Sequence, residues 1–440
     1  MMTSSIEVIS SNENEIQSVS QAITVENEKE NQEVQDLSIN HLESLLKNLG
    51  VSSFQSFSDS TNLSLKKRVL NSLMTFYLIL EMTKMSCWVV LPQEHHLTLM
   101  TGSYFYILGR SGKLIYLAIL SCTFNAVLSR LGFFLKEKSR ELDYLLDPIN
   151  FLRQNNTNQC VHEIKFRKTF HDLFKLCRSE IYNSSVMTNL FVLVCVIRGA
   201  IKTGEPYYFI LGMISHVFHS VLFGSGCALA SFQWKTCLAF IDMKMDQLLE
   251  RMDLVLTSDT KSNKDHFINR ILEDLKNLRI KVLKYNQVLM IFLFASIAST
   301  TPITTTLVYT SIFDDDSHQG ILLQVIHFPI LFIFTFQGWS PCYLTTKIWT
   351  KSMMMHKRLN SIFVRFSPSL ELQTRLSLRE EIKSLGSPRP LAISDMKGIP
   401  YTPSRFFLYL ESCLLTFILL IENFKTNTAG AIIKDAFKEF

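Results

Sequence analysis

Seven long apolar stretches punctuate this chain, and the loops between them hold most of its lysine and arginine. A stretch of roughly 20 apolar residues is the length at which an α-helix crosses ~30 Å of hydrocarbon, rising ~1.5 Å per residue. The expected spans are 69–91, 104–128, 181–200, 207–232, 285–313, 321–345 and 406–424. They predict an all-α membrane protein with seven transmembrane helices.

The loops set the direction of insertion. Lys66, Lys67 and Arg68 precede the first span, and three long loops follow on the same side: 130–178, 235–284 and 347–405, with ten, ten and eleven Lys and Arg. On the other side, the turn 202–206 holds one lysine and the turn 314–320 holds none. Basic residues stay in the cytosol. The N-terminus is therefore expected inside the cell and the C-terminus outside, the reverse of a G-protein-coupled receptor.

Composition closes off other classes. The formal charge of +5 sits mainly in loops and gives no nucleic-acid footprint. Nine cysteines are scattered without a CxxC pair, which predicts small buried side chains rather than a disulfide framework or a zinc site. No HExxH, GxSxG or phosphate-binding loop occurs, so no enzymatic activity, cofactor or metal is expected. Residues 1–65 are rich in Glu, Asn, Ser and Gln and read as a disordered cytosolic tail. No signal peptide opens the chain, so the first span is expected to direct its own insertion. Residues 66–426 form the membrane domain, and 427–440 a short extracellular tail.

The cytosolic loops carry helical periodicity. Leu238, Ile241, Met245, Leu248, Met252 and Val255 recur at spacings of three and four, as do Ile268, Ile271, Leu275, Leu278 and Val282. Leu359, Ile362 and Phe366 begin another such stripe, and Leu372, Leu376 and Ile382 hint at a fourth. Such stripes must bury one face. The membrane helices are therefore expected to extend into the cytosol and pack there as a helical layer. Pro302 and Pro329 fall inside the fifth and sixth spans, where kinks are expected.

The last span holds the most polar stripe. Ser412, Thr416, Leu419 and Asn423 share one narrow face, and Glu411, Leu415, Ile418 and Glu422 the adjacent one. A carboxylate inside a membrane costs several kcal/mol unless it meets water or a partner, so this helix is expected to flank a wet path. Thr416-Phe417, five residues, then Asn423-Phe424 resembles the last-helix motif of invertebrate gustatory receptors, Thr-Tyr/Phe, five mostly apolar residues, then Gln-Phe. Their superfamily includes insect odorant receptors and nematode light-sensing members. Two departures stand out: Asn423 replaces Gln, and Glu422 replaces an apolar residue.

The resemblance implies a tetrameric, non-selective cation channel in the plasma membrane of sensory neurons, formed by this chain or with related subunits. Four copies of the last helix would surround one pore, with Ser412, Thr416 and Asn423 at or beside it. Leu419 is the expected apolar constriction, and Glu422 would concentrate cations at the outer mouth. A stimulus pocket for a small molecule is expected among the outer helix halves, drawing on Trp88, Tyr106, Tyr208, His219, Thr305, Tyr309, His327, Gln337 and Trp339. Two alternatives remain open. One is a photosensor or hydrogen peroxide sensor on the same fold, and the other a non-conducting receptor that modulates neuronal signalling. Retinal chemistry is disfavoured: no lysine lies in the last span, and Lys84, in the first, stands one helical turn from Glu81, as an ion pair would.

Overall fold

The computed structural model describes residues 65–91, 147–153, 160–257, 264–287, 320–386, 391–394 and 399–412, with single positions between 98 and 127 and between 414 and 418. Within 320–338 the backbone alone is described. The expected tail 1–65 up to residue 64, the expected extracellular tail 427–440 and most of the fifth span, Pro302 included, lie outside the described residues.

The helices are α1 (Leu65–Val90), α2 (Asp147–Arg153), α3 (Val161–Thr203), α4 (Pro206–Thr257), α5 (264–287), α6 (Gly320–Phe366), α7 (Leu372–Leu385) and α8 (403–412). Further helical residues occur between 113 and 127. Among the described residues the only strand-like feature is an isolated bridge between Ser394 and Pro400. The helix α6 runs unbroken past Pro329.

Length dictates the architecture. At ~1.5 Å per residue, the 43, 52 and 47 residues of α3, α4 and α6 span roughly 65, 78 and 70 Å. Each is about twice the hydrocarbon thickness, so each carries an apolar half and a projecting half. The α3–α4 turn marks the far end of the apolar halves. Gly204 adopts φ 74° there and its N–H bonds back to the carbonyl of Ala200 at 2.9 Å, closing α3 in the left-handed region that glycine enters without strain. Pro206 then opens α4 at the one helical position where a missing N–H costs nothing.

Burial inverts along α4. Near the turn, Tyr207, Ile210, Leu211, Ile214, Phe218 and Val221 are exposed. In the projecting half, Leu238, Ile241, Met245, Leu248, Met252 and Val255 are all buried. Lipid suits the first set, and only packed protein suits the second. The exposed stripe Tyr182, Val186, Leu190, Leu193, Ile197 and Ile201 gives α3 the same apolar half. Ser72–Val90 and Val161–Thr203 are the two helices long and apolar enough to cross a membrane among the described residues.

The expected helical layer is present. Ile268, Ile271, Leu275, Leu278 and Val282 of α5 are buried, as are Leu359, Ile362 and Phe366 of α6. Ion pairs stitch its elements: Lys351 meets Asp242 at 2.5 Å and Asp246 at 2.6 Å, Arg251 meets Asp274 at 2.5 Å, and Arg358 meets Asp253 at 2.8 Å. Small α2 docks through Phe151, whose ring lies 5.5 Å from Phe240 and carries Lys244 Nζ 4.7 Å from its centroid. Burial holds the Lys244 ammonium below its ordinary pKa, while Glu163 pulls the other way.

One expected face is corrected. Leu372 and Leu376 of α7 are exposed, and its buried positions are Thr374, Leu378, Glu381 and Leu385. The polar contacts set this rotation. Asn269 Nδ2 donates to Thr374 Oγ1 at 3.0 Å, and Arg279 pairs with Glu381. Two polar groups anchored on α5 turn α7 about its axis, so its exposed leucines face away.

Candidate functional site

The first helix carries its polar residues inward. Tyr77, Glu81, Lys84 and Trp88 recur at spacings of four, three and four, which is one helical face. Phe76, Ile79 and Val90 are exposed on the other side. A water-soluble helix has the opposite arrangement. Here lipid takes the apolar residues and the bundle interior takes the charges.

Those charges meet on α4. Lys84 Nζ lies 2.8 Å from Glu81 Oε2 and donates to Ser215 Oγ at 2.7 Å. The Ser215 hydroxyl donates to Glu81 Oε1, and Tyr77 Oη donates to the Ser215 carbonyl at 2.7 Å. An isolated charge in this setting costs several kcal/mol, so the pair persists only because each partner is satisfied. Lys84 Nζ also lies 4.9 Å from the centre of the Trp88 ring, a cation–π geometry.

The polar seam continues past the indole. Trp88 Nε1 donates to Thr101 Oγ1 at 2.6 Å, and its ring lies 4.6 Å from that of Tyr116. The Tyr116 hydroxyl shares a 3.0 Å bond with Ser103 Oγ. Deeper in the bundle, His219 Nε2 and Thr123 Oγ1 are 3.2 Å apart, and the His216 ring is 6.4 Å from that of His219. Phe191, Val192, Cys195, Val196 and Phe209 pack with Trp88 and Tyr116 in one buried cluster. The result is a polar thread in an apolar sleeve, its ion pair, hydroxyls and indole N–H bonded to one another.

The expected pocket residues divide. Trp88 and His219 are buried in the seam, while Tyr208 is half-buried beside Tyr207, with ring centres 5.9 Å apart. Trp339 on α6 is 40% exposed. Tyr106, Thr305 and Tyr309 lie outside the described residues, as do the side chains of His327 and Gln337. Tyr77, Thr101, Ser103, Tyr116, Thr123 and Ser215 belong to the seam but were not singled out by sequence. Extending the Glu81, Lys84 and Trp88 spacing back by one turn would have found Tyr77.

The last helix presents a second surface. The rings of Phe406 and Tyr343 on α6 lie 6.5 Å apart, and Phe406, Tyr409 and Leu410 are half-buried. Phe407, Leu408, Glu411, Ser412, Leu414, Leu415 and Ile418 are exposed. Ser412 Oγ donates back to the Leu408 carbonyl at 2.8 Å. Thr416, Leu419, Glu422 and Asn423 lie outside the described residues.

No protein-family model matches the sequence, and neither does any curated protein. Solved structures do. The chain superposes on the insect olfactory receptor OR5 from Machilis hrabei in complex with eugenol with a TM-score of 0.58, covering 87% of this chain and 99% of that one at 14% identity. A second structure of the same receptor gives a TM-score of 0.56 at 12% identity, with 87% of this chain and 98% of that one covered. The chain has the insect olfactory receptor fold. At such identity the likeness is one of architecture. Within the olfactory receptor fold, α3, α4 and α6 are single helices that continue from the apolar half into the helical layer, and the polar seam sits where α1 and α4 meet.

Proposed function

We propose that this chain is a gustatory-receptor-like chemosensory receptor and a subunit of a stimulus-gated, non-selective cation channel. It would act in the plasma membrane of sensory neurons. The observation that carries the reading is the open face of α8, where Glu411 and Ser412 are exposed among Phe407, Leu408, Leu414 and Leu415. That face is too polar for lipid and too apolar for bulk water. Further copies of the same helix around a wet axis would satisfy both. The fold shared with insect olfactory receptors and the Thr416-Phe417…Asn423-Phe424 motif support the same arrangement as a tetramer, with Thr416, Leu419, Glu422 and Asn423 continuing the pore wall outward.

The stimulus is read as a small polar molecule. Eugenol, bound by the Machilis receptor, is a phenol with an apolar tail. The seam here adds a charged pair to its aromatic lining, which favours ligands that exchange hydrogen bonds with Glu81, Lys84 or Thr101. Recording current from the chain expressed alone tests the pore. Glu422→Gln and Asn423→Ala are expected to change conductance or ion selectivity; currents unaltered by both remove the pore assignment.

One observation favours light as the stimulus instead. Trp88, the largest fully buried side chain among the described residues, is packed against Tyr116 and beneath Lys84, so an ultraviolet-absorbing indole sits in contact with a phenol and a cation. A light step on the same patch separates the readings. Photocurrents abolished by Trp88→Phe support light, and indifference to light removes it.

A further inference from the structure

The exposed side of α3 changes character without changing face. Its apolar stripe runs from Ile201 back to Tyr182 in steps of three and four. The same steps carry it on through five exposed residues, the bases Arg178, Lys175, Lys168 and Lys165 with Asp172 between Lys175 and Lys168. None of the four pairs with an acidic group among the described residues. Asp172 is the one exposed acid among them, and Glu180 is buried against Lys235 at 3.7 Å. A lipid-facing stripe thus becomes a basic ladder on one straight helix.

Neighbouring helices fix the height of that ladder. The Phe170 and Phe174 rings lie 5.6 and 6.1 Å from Phe232, which puts Lys175 level with Phe232 of α4. On α6, Lys351 bridges Asp242 and Asp246. Tyr343, eight residues nearer the apolar end, stands about 12 Å above Lys351 and so within about 10 Å of the Phe232 level. Lys347 Nζ lies 5.2 Å from the centre of the Tyr343 ring, an exposed aromatic with a base one turn beyond it. Tyrosine and lysine in that order mark a membrane interface. The same plane therefore cuts α3 within the basic ladder, where lipid headgroups lie.

We propose that Lys165, Lys168, Lys175 and Arg178 form a docking strip for a polyphosphorylated lipid headgroup, a phosphoinositide of the cytosolic leaflet. The choice follows from the spacing. Lys175 and Arg178 stand about 4 Å apart along the axis, and Lys168 and Lys165 follow about 10 and 15 Å below Lys175. One phosphodiester meets the upper pair, and only ring phosphates projecting from the bilayer reach further down. Juxtamembrane basic clusters of four or more hold such lipids. The proposal rests on the cytosolic placement of the helical layer adopted above.

The full chain, purified and placed in phosphatidylcholine nanodiscs, provides the test, with a fluorescent phosphatidylinositol bisphosphate as probe. Neutralising the strip (Lys165→Gln, Lys168→Gln, Lys175→Gln and Arg178→Gln together) should weaken retention by on the order of 100-fold, or more. Removing as many charges elsewhere in the layer (Arg270→Gln, Lys276→Gln, Lys357→Gln and Lys383→Gln) should leave it within about twofold. A charge-conserving set, Lys to Arg and Arg178→Lys, should bind as the parent does, which guards against misfolding. The proposal is overturned by equal loss in both neutralised sets, by parental binding in the strip variant, or by equal binding of free inositol trisphosphate or phosphatidylserine. The assay needs no current, so a conducting chain that ignores the lipid sinks this inference alone. A lipid-binding chain that never conducts sinks only the channel.

Discussion

Glu81 depends on Lys84 and Ser215, and removing one member leaves the other charge stranded in a medium that cannot hydrate it. Glu81→Gln is expected to cost about 3–5 kcal/mol and to lower the yield of folded protein sharply. Glu81→Gln with Lys84→Met should recover most of that yield, measured as monodisperse protein by size-exclusion chromatography. A double variant no better than the single one would show that the pair does more than satisfy itself. Gly199 offers a steric counterpart. A methyl group there would lie 2.4 Å from Phe209 Cε1, so Gly199→Ala should destabilise the α3–α4 hairpin by about 1–3 kcal/mol. Pairing it with Phe209→Leu should restore part of the thermal stability. Sequence made half of this scale legible. Glu81 and Lys84 stand one turn apart and Trp88 follows one turn on, a pattern visible along a single helix. Ser215 carries no such signal, because a serine in an apolar run is ordinary and its partner lies 134 residues away.

Among the elements, periodicity succeeded where one apolar stripe decides the packing and failed where polar contacts do. The heptad-like stripes of α4 and α5 are buried at every position expected, from Leu238 to Val255 and from Ile268 to Val282. The helix α7 is the counter-example, since its rotation follows Thr374 and Glu381, whose partners Asn269 and Arg279 belong to another helix. The hydrophobic stripe there is short: Leu378 and Leu385 alone. The two faces can be told apart by substitution. Leu378→Ala, at a fully buried side chain, should cost about 2–5 kcal/mol, whereas Leu376→Gln on the exposed side should stay within about 0.5 kcal/mol. Thermal melts of the two variants check this, and a larger loss at Leu376 would mean that this face is covered by a further copy of the chain.

For the whole molecule, helix length and burial together prescribe which ends share a side of the membrane. The apolar halves of α3 and α4 both adjoin the Gly204 turn, and their buried halves both lie in the helical layer. The turn and the layer must therefore occupy opposite sides of the bilayer. The helix α8 begins beside Tyr343, where the Phe406 ring lies 6.5 Å from that tyrosine. The lysine and arginine counts in the loops bear on a different point, which side is expected to be cytosolic, and they do so without tertiary knowledge because the translocation rule acts on local charge. The path of the proposed pore is not legible in the same way: it would depend on copies of the chain meeting around an axis, and a single sequence encodes only one wall. An epitope inserted between Gly204 and Glu205 and a tag after Phe440 should both be stained on intact cells. An epitope inserted after Gly386, exposed at the end of α7 on the layer side, should be stained only after permeabilisation. Staining of the last on intact cells, or of either of the first two only after detergent, would turn the molecule over. The proposed role of Glu422, gathering cations at an outer mouth, would then fall with it.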